Sequence, residues 1–350
     1  MTVVYPATHG AVDPPELPPG VTEVPVAVGR VQRAASAGAG WLAGRPGQVG
    51  WFAPRRLAAR VRRLARSHDL VLFVTSRPVV AVAAPVAVDH VDCLSLNAAR
   101  RATSYRSALV RALWREEARR LRRWERRVAR EVAVQLVTSP ADAASLPAHP
   151  LPVVVPNGVK LARTAEAASL DGRDIDVLLT GNMAYPPNRD AAGWLGQEIV
   201  PRLQAQAGRP LRVVVAGRTA SGLPRWEGVD VASDVPDLAA LLARAKVAVA
   251  PLRIGTGVPN KVLEAALADA ALVLTPQANA ALALPPSAAA VVSDTEGFAG
   301  EVLALLNSDE LRSSRVRGMR AELRRFDLDR VTAAYEAGVI LALRERRAAA

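Results

Sequence analysis

One cysteine, Cys93, stands among 350 residues, so no disulfide can form within the chain, as suits a reducing compartment. Aromatic residues make up 4% of the chain, which leaves little for a platform that stacks single-stranded nucleic acid. No stretch of about 18 apolar residues runs free of charge, which argues against a spanning helix. The apolar run ending in VILALRERR is too short and is broken by Glu336. The opening MTVVYPATHG has neither the basic start nor the long apolar run of a signal peptide. The four histidines and one cysteine show no metal-ligand spacing; His9, His68 and His149 fall in predicted loops. The expectation is a cytoplasmic protein without a metal site.

What is present is apolar residues, at 50%, and positive charge, at +12 net. A chain of this length predicts two domains. The charge is concentrated: Arg100–Arg130 holds twelve arginines against Glu116, Glu117 and Glu125, a local surplus of nine. Such a segment attracts nucleic acid, anionic lipid headgroups or a phosphorylated acceptor.

Strands alternate with helices along the chain, which predicts parallel sheets flanked by helices. In the first half the strand candidates are Thr2–Tyr5, Thr22–Val26, Leu70–Val74 and Val86–Asp89, separated by Pro/Gly-rich loops and one basic helix at Pro54–Arg66. A long helix is predicted over Ser104–Arg130, with Leu109, Leu113, Leu121, Trp124 and Val128 on its packed side and arginines elsewhere. AVQLVTS and PVVVPNGV read as two more buried strands. The second half offers strands at Asp176–Thr180, Arg212–Ala216, Val229–Ala232, Val247–Ala250, Ala271–Leu274 and Ala290–Val292. Helices are predicted at Asp190–Leu203, Asp237–Ala245, Asn260–Ala268 and Glu296–Asn307. This is an α/β chain of two doubly wound domains, 1–156 and 157–329, with a linker at Asn157–Arg173 and a C-terminal helix, 330–347, that packs back on the first domain.

The informative segment is APLRIGTGVPNKVLE, Ala250–Glu264. An apolar strand ends at Pro251, a tight loop with Gly255 and Gly257 follows, and Pro259-Asn260 opens a helix. Glycines at such a turn let backbone approach a ligand, and the N–H groups at the helix start favour an anion. Arg253 and Lys261 are candidate diphosphate ligands. Glu264, one turn beyond Lys261, is placed to accept from ribose hydroxyls. The competing reading is an ordinary strand-to-helix turn with solvated charges.

These residues carry a resemblance. The second half is similar to the nucleotide-binding domain of retaining GT-B glycosyltransferases of family four, especially sugar transferases of exopolysaccharide and exosortase-linked clusters. LLTGNMAYPPNRDAAGWLGQEIVPRL resembles the first strand, loop and helix of that donor domain, VVVAGR the next strand and turn, and SDVPDLAALLARAKVAVAPLR the block whose valine, here Val235, meets the nucleobase. PNGV at Pro156–Val159 resembles the crossover into the domain. The resemblance implies two Rossmann-like domains facing a cleft, a nucleoside-diphosphate sugar donor, a hydroxyl acceptor and retention of configuration. It implies no metal and no cofactor, the leaving group being held by the helix dipole, Arg253 and Lys261. It places Asn182, Thr256 and Gly217 beside Val235 in the vicinity of the sugar and base.

Two departures stand out. Family members commonly carry two glutamates with seven residues between them; the second falls on Glu264, the first on Thr256. The loop after the first donor-domain strand reads GNMAYPPN where many members place an arginine and a lysine, so Asn182 and Asn188 contribute neutral contacts or simply form the turn.

The chain opens at what resembles the family's second strand, TVVYP; Gly10 precedes a proline-rich loop rather than a phosphate-binding turn. The N-terminal domain is thus expected to lack its first strand-loop-helix. VAVDHVDCLS resembles the acceptor-domain strand end, placing Asp89, His90 and Asp92 as catalytic candidates outside the carboxyl end of a parallel strand. The alternative is a helix-capping aspartate pair with a hydrogen-bonded histidine. Three functions compete. The first is a sugar transferase docked by its basic helix on an anionic membrane surface, the inner face of the cell membrane, with a lipid-linked or polysaccharide acceptor. The second is a catalytically silent GT-B-like binding protein. The third, a nucleic-acid binder, leaves the donor-domain motifs unexplained.

Overall fold

The computed structural model describes residues 1–7, 18–103, 105, 107–161, 172–255 and 257–349. His9, Gly10, Ser104, Thr256 and most of the expected linker lie outside the described residues. Two compact units form, Met1–Val155 with Ala334–Ala350, and Pro156–Ala333.

In the first unit the strands are β1 (Thr2–Ala7), β2 (Thr22–Ala27), β3 (Val71–Val74), β4 (Val86–Asp89), β5 (Val134–Val137) and β6 (Val153–Val154). Between them lie α1 (Arg30–Leu42), α2 (Gly47–Phe52), α3 (Arg55–Ala65), α4 (Leu94–Thr103), α5 (Ala108–Glu131) and α6 (Pro140–Ser145). All pairings are parallel, but the strands fall into two sheets: β1 with β2, and β3-β4-β5-β6. The sequence reading put loops where α1 and α2 form. Alanine carries α1 (RVQRAASAGAGWL), as its propensity allows. A glycine of α2 serves close packing between the two helices: a Cβ on Gly50 would lie 2.3 Å from the Ser36 carbonyl oxygen of α1.

The long basic helix is a scaffold. Its buried side is Glu117, Leu121, Glu125, Val128 and Ala129, so the expected stripe is corrected at its start: Leu109 and Leu113 are 71% and 50% exposed. The two buried carboxylates cap neighbouring helices. Glu117 accepts from the Gly47 and Gln48 amides of α2, each at 3.1 Å, and Glu125 accepts from the Ser95 amide of α4 at 3.1 Å. Each carboxylate satisfies helix-start N–H groups that would otherwise be orphaned.

In the second unit the strands are β7 (Ile175–Thr180), β8 (Val213–Gly217), β9 (Val229–Ser233), β10 (Ala245–Ala250), β11 (Ala271–Leu274) and β12 (Ala290–Val291). They form one parallel sheet ordered β12-β11-β10-β7-β8-β9. The order reverses direction between β7 and β10, the doubly wound arrangement. Buried on both faces, β7 and β11 are apolar throughout except Asp176 and Thr180, as parallel strands require. The helices are α7 (Pro186–Trp194), α8 (Val200–Gln206), α9 (Leu238–Ala243), α10 (Asn260–Leu267), α11 (Pro276–Asn279), α12 (Thr295–Asn307) and α13 (Asp309–Leu323); α14 (Leu328–Ala349) begins in this unit, and its residues from Ala334 on belong to the first. A π-helical turn, Leu195–Ile199, joins α7 to α8. Pro201 lacks the N–H that would bond to the Gln197 carbonyl, and the widened turn relieves the clash. The core of this unit runs from Ile175 to Phe326 and includes Leu178, Ile199, Leu263 and Phe298, each at most 1% exposed.

Candidate functional site

Loops leaving β7 and β10 diverge at the reversal of strand order, and open α/β sheets bind ligands there. A cavity of about 580 Å³ occupies this place, lined from the carboxyl ends of β7, β8, β9, β10 and β11 and the start of α10. That volume suits a nucleotide-sized ligand.

Its floor is two glycines. The Gly181 amide donates to the Ala216 carbonyl at 3.0 Å. Gly217, at φ 143°, passes so close that a Cβ there would lie 1.8 Å from the Gly181 carbonyl oxygen. No other residue type fits Gly217. Gly255 and Gly257 also take left-handed values, φ 122° and 79°. The Gly255 carbonyl accepts from the side-chain Nε2 of Gln277 at 2.6 Å.

At one end of the cavity, α10 starts after Pro259 without a side-chain cap. Lys261 lines the cavity, and its Nζ donates to Asn188 Oδ1 at 2.6 Å. Burial pulls its pKa down to about 8, against the opposing pull of Glu264. Glu264 also lines the cavity and is exposed. The far end is built from Gly217 and Arg218 after β8, Asp234 and Val235 after β9, and Leu238 of α9. Asp234 takes φ 53°, and its carboxylate accepts from the Ser233 hydroxyl at 2.6 Å.

The cavity therefore brings together Asn182, Gly217, Val235, Gly255, Gly257, Lys261 and Glu264. Asn182 also turns its loop, its Oδ1 accepting from the Ala184 amide at 3.0 Å. Arg253 is corrected: it is not among the described residues that line the cavity. In the extended segment after β10 the side chains alternate, and Leu252 and Ile254 take the cavity side. Arg253 points the other way, gripping Asp190 at 2.6 Å and 3.0 Å over the Trp194 ring. Among the described residues the lining cations are Lys261 and Arg218. Arg218, directly after Gly217 in VVVAGR, is a lining cation legible from its place at a strand end. Asp234, Leu238 and Gln277 had no such signal.

Of the first-unit candidates, His90 is corrected, whereas Asp89 and Asp92 are half-buried at the end of β4. His90 is fully buried, its Nε2 3.1 Å from Gln135 Oε1, and burial drives its pKa down to about 4. It has no access to an acceptor. Asp89 accepts from the Val91 amide at 2.9 Å and the Tyr335 hydroxyl at 3.1 Å, and Asp92 accepts from Asn97 Nδ2 at 3.4 Å. Burial raises both carboxyl pKa values. Asp89 ties down a strained turn, Val91 at φ 60°, an outlier for a β-branched residue. Among the described residues no group of three or more His, Cys, Asp or Glu is placed to hold a metal ion.

The segment that builds the cavity also carries a family match. Residues 174–308 match the glycosyl transferases, group 1. The matched segment spans β7 through α12, and so contains every described residue of the cavity lining. No curated protein matches the chain in sequence. Solved structures share its fold. HepE from Anabaena, solved in complex with UDP-glucose, is 15% identical with a TM-score of 0.59, over 84% of this chain and 82% of that one. An α,α-trehalose-phosphate synthase (UDP-forming) from Burkholderia xenovorans, solved with glucose-6-phosphate, gives 14% and 0.64, over 97% and 94%. Sucrose-phosphate synthase from Thermosynechococcus elongatus gives 12% and 0.65, over 100% and 89%. At such identities the likeness is one of fold: an α/β chain of GT-B type with two Rossmann-like domains.

Proposed function

We propose that the chain transfers a sugar from a nucleoside-diphosphate sugar to a hydroxyl acceptor, with retention, in the manner of family four enzymes. The observation that carries this reading is the cavity at the β7/β10 switch point within the group 1 domain, with an uncapped helix start, Lys261 and Glu264 on one wall. The diphosphate lies at the start of α10, Glu264 accepts from the ribose hydroxyls, and the base lies toward Val235 and Leu238. As the bond from the anomeric carbon to the diphosphate breaks, charge grows on the leaving oxygens. Lys261 and the α10 amides meet it in a site that needs no reorganisation. The donor is the only cofactor-like molecule the reading calls for, and these groups take the role that a metal has elsewhere. HepE was solved with UDP-glucose, so uridine donors are the first to test.

The acceptor is on a lipid carrier or a growing polysaccharide, and α5 is the element that meets the membrane. Its outer side carries Arg122, Arg123, Arg126 and Arg130, all exposed, behind the exposed Leu109 and Leu113. A basic face with apolar residues at one end suits an anionic surface. No helix among the described residues is long and apolar enough to cross a membrane. The test is turnover: release of UDP or GDP from a panel of nucleotide sugars, with membrane extract as acceptor. Donor binding without transfer or hydrolysis across the panel would favour a silent binding protein.

A further inference from the structure

Lys261 is held by a neutral partner. Its Nζ lies 2.6 Å from Asn188 Oδ1, and an ammonium only donates, so the oxygen of that amide faces it. The other end of the amide is also used: Asn188 Nδ2 donates to the Asn182 carbonyl at 2.9 Å. Asn188 is itself 8% exposed, fixed on the first turn of α7 by its own amide bonding to the Tyr185 carbonyl at 3.0 Å. Behind the pair stands Gly181. A Cβ there would come within 2.9 Å of Asn188 Nδ2 and 3.0 Å of Lys261 Nζ, so the two side chains rest directly on bare backbone. One amide thus ties the β7 loop, α7 and α10 together at the ammonium.

We propose that Asn188 is the positioning residue of the nucleotide site: it holds the Lys261 ammonium over the cavity without neutralising it, which leaves the charge for the diphosphate. Asn188 also lines the cavity, but with both ends of its amide engaged by Lys261 and the Asn182 carbonyl it acts through Lys261. A carboxylate in its place would fix the lysine equally well but consume its charge. An apolar residue would leave a desolvated ammonium with nothing to hold it. The charged group that acts on Lys261 is Glu264 on its own helix; Arg218 and Asp234 are the other charged residues lining the cavity. Burial already brings its pKa to about 8, so loss of the Asn188 acceptor is felt in the accessible pH range.

The inference rests on the nucleotide-site reading for its affinity arm alone; the titration arm uses the ligand-free chain. Lys261 is titrated by side-chain NMR in the wild type, Asn188→Ala and the near-isosteric Asn188→Asp, with thermal unfolding checking each fold. UDP and GDP affinities are measured in parallel. Asn188→Ala should lower the Lys261 titration midpoint and Asn188→Asp should raise it, yet both should weaken UDP or GDP, by about fivefold to tenfold. Opposite shifts in midpoint with losses of the same sign are what a purely structural role would not produce. An Asp variant that binds as tightly as wild type, or a Lys261 midpoint unmoved in both variants, overturns the proposal. If wild type binds neither nucleotide, the nucleotide reading fails, and the Lys261 midpoints still decide whether Asn188 holds the ammonium.

Discussion

Arg253 and Asp190 form a two-pronged ion pair: Nη2 to Oδ1 is 2.6 Å and Nε to Oδ2 is 3.0 Å. The guanidinium carbon lies 5.3 Å from the centre of the Trp194 ring. The pair clips the loop after β10 onto α7 and keeps Arg253 protonated. Half of the Arg253 side chain is open to solvent, so the clip contributes about 1 kcal/mol. Arg253→Ala should lower unfolding stability by that amount and change UDP or GDP affinity by less than about threefold. Chemical unfolding and calorimetry check it; a large affinity loss with stability unchanged would make Arg253 a ligand.

The sheet of the second unit was legible because buried parallel strands are written as apolar, β-branched runs; Ala271–Leu274 and Val247–Ala250 needed nothing else. The direction of Arg253 was not legible, because a loop of glycines and prolines has no period from which a side chain's side can be read. Alternation is visible only once Leu252 and Ile254 are seen to face the cavity. Helices α1 and α2 were hidden by Gly38, Gly40 and Gly50, which read as loop punctuation. Gly50 is instead a contact point between two helices. Glu117 and Glu125 read as polar-face residues because a sequence does not show which helix starts lie across from them. The Asp89–Asp92 block was placed at the correct end of its strand, but His90 turned inward to Gln135.

Acid should weaken the first unit through His90. Its pKa is about 4 folded against 6.5 ordinarily, so the unfolded chain takes up a proton that the folded chain refuses. That stability is complete above pH 6.5 and falls as pH drops toward 4. By pH 5 the loss from this group is about 2 kcal/mol. Asp89 and Asp92, with raised pKa values, act in the opposite sense but are present in both proteins compared. His90→Gln should therefore lose about 2 kcal/mol less than wild type between pH 7 and pH 5 in urea unfolding. Parallel pH profiles would contradict the burial.

Charge reversal to Glu at Arg122, Arg123, Arg126 and Arg130 should release the protein from anionic liposomes. Basic residues near such a surface contribute about 1 kcal/mol each, so four reversals should cut partitioning by at least about a hundredfold. Arg119 and Arg120 are left out because Glu116 already pairs with both. Soluble nucleotide binding, which belongs to the other unit, should not change. Co-sedimentation that is indifferent to anionic lipid or to the four changes would leave α5 as a solvated helix and scaffold.

The most direct test is calorimetric titration of wild type and Lys261→Ala with UDP and GDP. Lys261 is the half-buried cation of the cavity, set beside the uncapped start of α10. Loss of a charge-assisted contact to phosphate costs about 1.5–3 kcal/mol. Wild type should bind at least one of the two nucleotides, and Lys261→Ala, still folded by thermal melt, should bind it roughly 10- to 150-fold more weakly. Equal affinity in the two proteins, or no binding of either nucleotide by wild type, would contradict the account.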